Sequence, residues 1–219
     1  MRDEIPYLKD TMLLDADDCQ LVLVDCQPRL LAAMSDGQLV GANALRLAQM
    51  ASGMQVPLCI TEQNPAKLGE SLPELCALVL ECGGHTLTKM AFSACAEGLG
   101  EQLRPAQRRA QGGGGNTRSL PKHLQKAVPA TTPERNSIVI AGCEAHVCLL
   151  QTALELLEQE FDVWVVTDAC GSRSERNRDA AFDRLAGNGA ELVTTEMVAF
   201  EWLRSAEHEA FREIMALVK

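Results

Sequence analysis

Three residues whose side chains could share one reaction stand at or just beyond the ends of short apolar runs. Asp25 ends QLVLVD, Lys89 ends HTLTK, and Cys148 follows SIVIAG within the stretch GCEAHVC. A carboxylate can relay a proton, an ammonium can hold that carboxylate ionised, and a thiolate at a helix N-terminus can attack a carbonyl carbon. The pattern predicts a nucleophilic Cys148 whose pKa is lowered by the helix end, with Asp25 as its base.

On spacing alone, packing explains these residues as well as catalysis does. Free cysteine is among the most buried residue types, and a Lys beyond a strand is often only solvated. A Cys-His dyad is a further alternative, but His146 stands two residues before Cys148 in a tight turn, where a hydrogen bond between them is awkward. Four other cysteines lie in or beside apolar runs and are expected in the core: Cys26, Cys59, Cys143 and Cys170.

The apolar runs predict the fold. Runs rich in Val, Ile and Leu predict buried strands, with segments of helical character between them. These runs are 20–25, 56–61, 137–142, 162–169 and 190–195, and residues 85–89 would supply a further, shorter strand. The alternation predicts an α/β three-layer sandwich, in which helices cover a parallel sheet through right-handed crossovers. Ligands of such sheets bind beyond the carboxyl ends of the strands, where the three reactive residues fall.

Two helices have faces that can be predicted. Leu150, Leu154 and Leu157 form an apolar stripe on the helix after residue 148, which predicts the buried face and leaves Cys148 on the polar side with Thr152. A last helix, expected from about residue 206, has an apolar face that must dock on the domain core or on a partner subunit.

Length and composition indicate one domain spanning residues 1–219. Residues 104–136 are rich in Gly, Pro and basic residues, and they predict an exposed, flexible excursion. The GGGG within it lacks the Lys-Ser/Thr of a phosphate loop. The nine cysteines form no CxxC pair, which suits reduced thiols in a cytoplasmic enzyme better than a disulfide framework or a structural zinc site.

The charge excludes several classes of partner. A net charge of -10 opposes binding to nucleic acid or to an anionic membrane surface. No apolar run approaches the roughly 20 residues of a membrane-spanning helix. The N-terminus is acidic where targeting peptides are basic, so we expect a cytoplasmic protein without a nucleic-acid or membrane partner. No G-x-G-x-x-G follows the first strand, so dinucleotide binding lacks support.

The residues around the three strand ends resemble the isochorismatase-like cysteine hydrolases. The resemblance lies in LVLVDCQ, TKMAFS, GCEAHVCLLQTALELL and VVTDACGSRS, and it covers about residues 18–104 and 137–203. The run TEQNPAKLGESLPEL is similar to the subgroup called isochorismatase domain-containing proteins. The resemblance implies a six-stranded parallel, Rossmann-like sheet and a homo-oligomer, either a dimer or larger.

The resemblance also implies a mechanism. Asp25, Lys89 and Cys148 would form a triad that hydrolyses a small amide or related C–N bond through a covalent thioester-type intermediate. A cis peptide bond would join Cys143 to Glu144. The backbone N–H groups of Glu144 and Cys148 would then form an oxyanion hole.

The same resemblance bears on the substrate pocket, on metal binding and on an alternative function. Gln27 and Phe92 are candidate pocket residues. Nicotinamidase-type members bind a metal through an Asp-x-His pattern where this sequence reads TEQNPAK, so we expect no metal and no other cofactor. Members that cleave isochorismate lack the cysteine, so Cys148 favours a thiol hydrolase acting on a small molecule. The alternative is a non-catalytic binding or scaffold protein that keeps the fold.

Overall fold

The computed structural model describes residues 12–104 and 135–218. Six parallel strands form one sheet in the order β3-β2-β1-β4-β5-β6. The strands are β1 (Cys19–Val24), β2 (Leu58–Gln63), β3 (His85–Lys89), β4 (Ser137–Cys143), β5 (Asp162–Gly171) and β6 (Glu191–Val193). They coincide with the six predicted strands, with ends shifted by at most two residues, which confirms the predicted parallel α/β sheet.

Helices cover both faces of this sheet. They are α1 (Pro28–Leu31), α2 (Gly37–Gly53), α3 (Pro65–Leu68), α4 (Pro73–Glu81), α5 (Leu99–Leu103), α6 (Leu150–Glu158), α7 (Glu175–Gly187), α8 (Thr195–Leu203) and α9 (Phe211–Val218). On one side α4, α8 and α9 pack against α2, while α6 and α7 pack together on the other. The chain leaves β1 and β4, which are neighbours, in opposite directions along the sheet, so a crevice is expected beyond their carboxyl ends.

Burial follows the position of each strand. The central strands β1 and β4 are buried along their whole length, as expected where helices cover both faces. The edge strand β3 alternates instead, with Thr86 and Thr88 exposed and Leu87 and Lys89 buried. The alternation of the pleat therefore turns the Lys89 side chain inward, beside an apolar neighbour.

The predicted face of α6 is right for Leu150, which is buried, but the prediction is wrong in placing Cys148 and Thr152 on the polar side of the helix. A π-helical turn, Ala145–Leu149, precedes α6, and within it the N–H of Leu149 donates to the carbonyl oxygen of Glu144. Cys148 and Thr152 are buried, whereas Leu154 and Leu157 are only partly buried. Polarity misled the prediction because the Thr152 hydroxyl accepts a hydrogen bond from a backbone N–H and can therefore lie inside.

The last helix docks on its own domain. It begins at Phe211, later than predicted, and Ile214 is 1% exposed within the main core. Its neighbours are α2 and α8, so the domain core receives its apolar face. Within the described ranges, no helix combines the length and apolar character needed to cross a membrane.

Most of the predicted excursion at 104–136 lies outside the described residues, as do residues 1–11 and 219. Its two flanks are joined by Gln20 in β1. The side-chain amide of Gln20 donates to the carbonyl oxygens of Leu103, at 3.0 Å, and Arg135, at 2.9 Å. Both flanks therefore meet at the amino-terminal edge of the sheet, opposite the strand ends that carry the reactive residues.

Candidate active site

A buried ion pair joins the ends of β1 and β3. Lys89 Nζ lies 2.7 Å from Asp25 Oδ2, and both side chains are 0% exposed. The ammonium also donates to the carbonyl oxygen of Phe92 at 3.0 Å. The second carboxylate oxygen of Asp25 accepts from the Thr61 hydroxyl at 2.6 Å. Each charged group thus has several hydrogen-bonding partners, which a buried ion pair needs.

The Cys148 thiol lies beside this pair. Its sulfur donates to Oε1 of Gln63 at 3.9 Å, and the same oxygen accepts from Lys89 Nζ at 2.7 Å. Burial, and then the negative charge of Asp25, raise the pKa of Cys148 to about 12, while the Lys89 ammonium opposes them. The prediction of a lowered pKa is therefore wrong, because desolvation and a neighbouring carboxylate outweigh the helix end.

Strand pairing brings the triad together. Val24 pairs with Gly142 across β1 and β4, and Gln63 pairs with Lys89 across β2 and β3. Gly142 has φ 122, and a Cβ there would meet the carbonyl oxygen of Val24. Only glycine allows the two backbones to come this close, so the turn carrying Cys148 starts directly beside the end of β1.

The peptide bond between Cys143 and Glu144 is cis, at the position that the resemblance implies. The Glu144 carboxylate turns toward β5, where Oε1 lies 2.9 Å from Arg173 Nε. His146 turns the same way, with Nδ1 3.0 Å from the Ser172 hydroxyl. The partners of His146 thus lie on the side of β5, which gives no support to a Cys-His dyad.

The two candidate pocket residues contribute differently. Gln27 is fully buried, and its amide donates to the carbonyl oxygens of Gln63 and Gly69 and accepts from the N–H of Gln63. Gln27 thus fixes the backbone of Gln63, which contacts Lys89 and Cys148. The Phe92 side chain is 55% exposed, and its carbonyl oxygen is the group that contacts Lys89.

The loop after β3 is fixed by α6. The N–H of Ala94 donates to the Thr152 hydroxyl at 3.0 Å, and the Ser93 hydroxyl donates to Glu155 at 2.7 Å. These bonds hold the chain just beyond Phe92, whose carbonyl oxygen accepts from the lysine. Thus the π-helical turn before α6 carries Cys148, and α6 itself orders the surroundings of Lys89 one and two turns later.

Sequence reasoning missed Thr61 and Gln63. The run predicted as the second strand, 56–61, stops before Gln63, and neither residue carries a predicted role. The available signal was the run TEQ, in which Thr61 and Gln63 share one face if the strand continues two residues further.

A cavity of about 600 Å³ lies elsewhere, between α1, the first turns of α2 and the start of α4. Asp25, Lys89 and Cys148 are not among its lining residues, so we place the chemistry at the strand ends. Within residues 12–104 and 135–218, no three His, Cys, Asp or Glu side chains are grouped to hold a metal ion. That the protein works without metal or cofactor stays a prediction.

The chain is similar to known proteins along most of its length. The family model described as Isochorismatase domain matches residues 120–197. Isochorismatase domain-containing protein 2 of Xenopus laevis is 32% identical over 198 residues, covering 90% of this chain and 82% of the relative. The relative from Bos taurus is 34% identical over 199 residues, covering 91% and 82%.

Solved structures share the fold. The MAR1 ribonuclease of Caenorhabditis elegans aligns with a TM-score of 0.77 and 26% identity, covering 94% of this chain and 92% of that one. YcaC of Pseudomonas aeruginosa, solved with hexane-2,5-diol and covalent acrylamide, gives 0.73 and 27%, covering 94% and 91%. YcaC of Escherichia coli, an octameric hydrolase of unknown specificity, gives 0.70 and 27%, covering 95% and 97%. The chain therefore belongs to the isochorismatase family, and its curated relatives are isochorismatase domain-containing proteins.

Proposed function

We propose that this protein is a cysteine hydrolase that cleaves a small amide, or a related C–N or acyl bond, through a thioester-type intermediate. The observation that carries the proposal is the dry Lys89–Asp25 pair, 2.7 Å apart, beside the buried thiol of Cys148. Membership of a family of hydrolases supports it. A nucleophile, a base and a fixed cation are the groups that acyl transfer needs.

The first half of the reaction forms the acyl-enzyme. Because the pKa of Cys148 is raised, the resting sulfur carries its proton at neutral pH. As the sulfur bonds to the substrate carbonyl carbon, this proton passes to Asp25 and an electron pair moves onto the carbonyl oxygen. The N–H groups of Glu144 and Cys148 stabilise that oxyanion, and Lys89 offsets the negative charge of the site.

The second half restores the enzyme. The oxyanion collapses, the C–N bond breaks, and the leaving nitrogen takes the proton from Asp25, which leaves a thioester on Cys148. A water molecule then attacks the carbonyl carbon of the thioester through its oxygen atom. As it does so, Asp25 accepts a proton from this water. The C–S bond breaks, the sulfur regains a proton from Asp25, and the carboxylic acid leaves.

The test is a screen of small amides for ammonia release, with acrylamide as a covalent probe, because a P. aeruginosa neighbour carries covalent acrylamide. We expect turnover that falls at least about a thousandfold in Cys148→Ala. Cys82→Ala removes an exposed thiol and serves as the matched control. Hydrolysis that survives Cys148→Ala would show that another residue is the nucleophile.

A second candidate is a binding or scaffold protein that keeps the fold without turnover. The raised pKa of Cys148 is the observation that favours it, because this thiol is largely protonated at neutral pH. Release of no product from any amide, together with no acyl group trapped on Cys148 in mass spectrometry, would decide for this candidate.

The proposed enzyme is a cytoplasmic homo-oligomer that acts on small molecules. A dimer or larger assembly is supported by the octameric E. coli relative, and light scattering on the purified chain measures it directly. The C. elegans neighbour is named a ribonuclease. A net charge of -10 opposes RNA binding here, so no salt-dependent binding of an RNA oligonucleotide is expected in fluorescence anisotropy.

A further inference from the structure

Gln63, the last residue of β2, places one oxygen atom between the nucleophile and the cation. Its Oε1 accepts from Lys89 Nζ at 2.7 Å and from the Cys148 sulfur at 3.9 Å. Its Nε2 donates to the carbonyl oxygen of Met90 at 2.9 Å. The amide can adopt only this orientation, since an ammonium requires the oxygen and a carbonyl requires the NH₂ group.

The backbone of Gln63 is held as firmly as its side chain. Its N–H donates to Oε1 of Gln27 at 3.0 Å, and its carbonyl oxygen accepts from Nε2 of Gln27 at 3.1 Å. A fully buried glutamine thus pairs with the main chain of Gln63 much as a neighbouring strand residue would. With both ends fixed, the shared oxygen sets where the sulfur and the ammonium lie relative to each other.

We propose that Gln63 is a positioning residue, which holds the Cys148 thiol and the Lys89 ammonium on one amide oxygen and thereby keeps the sulfur beside the Lys89–Asp25 pair. This role rests on the proposed hydrolase function and deepens it. Without the oxygen, the ammonium would turn toward the sulfur and the thiol would lose an acceptor. Both changes favour the thiolate but release the sulfur from its fixed place.

The test compares Gln63→Met, which removes the oxygen, with Gln63→Glu, which keeps the shape and adds negative charge. The matched control is Gln102→Met, on the exposed surface of α5. Each full-length protein is alkylated with iodoacetamide from pH 7 to 11, and labelling of Cys148 is read by peptide mass spectrometry. Turnover of the best amide from the screen is measured in parallel.

At pH 8 we expect Cys148 to react about tenfold faster in Gln63→Met and about tenfold slower in Gln63→Glu, which is one pKa unit each way. Amide turnover should fall about tenfold or more in both, and Gln102→Met should match the parent. Because Glu and Gln have nearly the same size and shape, a change in access alone would leave Gln63→Glu labelling like the parent, whereas the proposed role slows it. Should one variant fail to fold, the other still gives the direction of its shift.

Coincident pH profiles in folded variants, or a shift in the same direction in both, would overturn the role of Gln63. If the parent hydrolyses amides and Cys148→Ala does not, while both Gln63 variants turn over like the parent, the hydrolase stands and this inference falls. If no amide is hydrolysed but the two profiles shift in opposite directions, the positioning role stands and the hydrolase falls.

Discussion

At the scale of single residues, the surroundings of Cys148 keep its sulfur protonated. The side chain is buried, Asp25 raises its pKa further, and Lys89 only partly compensates. In the proposed reaction the thiolate therefore forms only as a substrate binds and the thiol proton passes to the nearby carboxylate. The resting protein should then react slowly with other electrophiles, because it presents almost no thiolate.

This leads to a prediction for the parent protein. Alkylation of Cys148 by iodoacetamide should be slow at pH 7 and should rise about tenfold per pH unit up to a pKa of about 12. Peptide mass spectrometry of samples quenched at each pH gives the profile, with exposed Cys82 as the internal reference. A plateau reached below pH 8 would contradict the raised pKa.

A second residue-scale prediction concerns Thr61, whose hydroxyl donates to Asp25 Oδ1 at 2.6 Å. Thr61→Val keeps the shape and removes that bond to a buried carboxylate. The free energy of unfolding should fall by about 1–3 kcal/mol, as measured in urea, and amide turnover should also fall. Thr88→Val, on the exposed side of β3, is the control. A loss no larger than the control's would show that Asp25 does not need this donor.

The sequence allowed the strand-end positions of Asp25, Lys89 and Cys148 to be predicted, but not the groups that support these three side chains. Asp25, Lys89 and Cys148 stand at strand ends, where chemistry is expected. The contribution of Gln63 depends on its pairing with Lys89 across β2 and β3, and register between strands is a tertiary property. The direction of the pKa shift of Cys148 likewise required its burial to be known.

At the scale of elements, the close approach of β1 and β4 positions the turn that carries Cys148. Gly142 carries φ 122, and its Cα faces the carbonyl oxygen of Val24 across the strand pair. Any side chain at this position would push β4 away from β1. The distance between the end of β1 and the turn carrying Cys148 would then increase.

Gly142→Ala should therefore lower the free energy of unfolding by about 2–4 kcal/mol and reduce amide turnover. Gly187→Ala is the matched control, because nothing lies within 4 Å of a Cβ there and the residue ends α7. Urea denaturation of the two variants gives the comparison. Equal free energies of unfolding in the two variants would show that β1 and β4 can move apart without a loss of stability.

Element types were predictable, whereas one helix face was not. Five of the six strands could be predicted because each coincides with a short apolar run, and the two central ones are buried on both faces. The buried face of α6 passes through Thr152, Ala153 and Leu156, and it includes a threonine whose hydroxyl accepts from a backbone N–H of the loop after β3. Such a partner does not show in helical periodicity.

At the scale of the whole molecule, buried thiols couple folding to pH. Burial raises the pKa of Cys19, Cys26 and Cys59 to about 12, from 9.0. Below pH 9 these thiols are protonated in both the folded and the unfolded protein, so their full contribution to the free energy of unfolding is present. Between pH 9 and 12 the unfolded chain releases protons that the folded one retains, so stability falls with rising pH by about 1.4 kcal/mol per pH unit for each thiol.

Urea denaturation of reduced protein at pH 8.5 and pH 10.5 should therefore show a marked loss of stability at the higher pH. Cys59→Ala removes one titrating group. The slope of the free energy of unfolding against pH should therefore become shallower by the contribution of about one proton, however much the substitution changes stability at pH 8.5. Cys82→Ala, at an exposed position, should leave the slope unchanged. An identical slope in all three proteins would contradict the shift assigned to Cys59.

The hydrogen bonds from Gln20 to the carbonyl oxygens of Leu103 and Arg135 allow the segment between these two residues to be exchanged. Gln20 holds the chain together on both sides of residues 105–134. Replacing these residues with a four-residue Gly-Ser linker should therefore preserve turnover. A reporter domain spliced between residues 104 and 135 would emerge at the edge of the sheet opposite the triad, leaving the chemistry undisturbed.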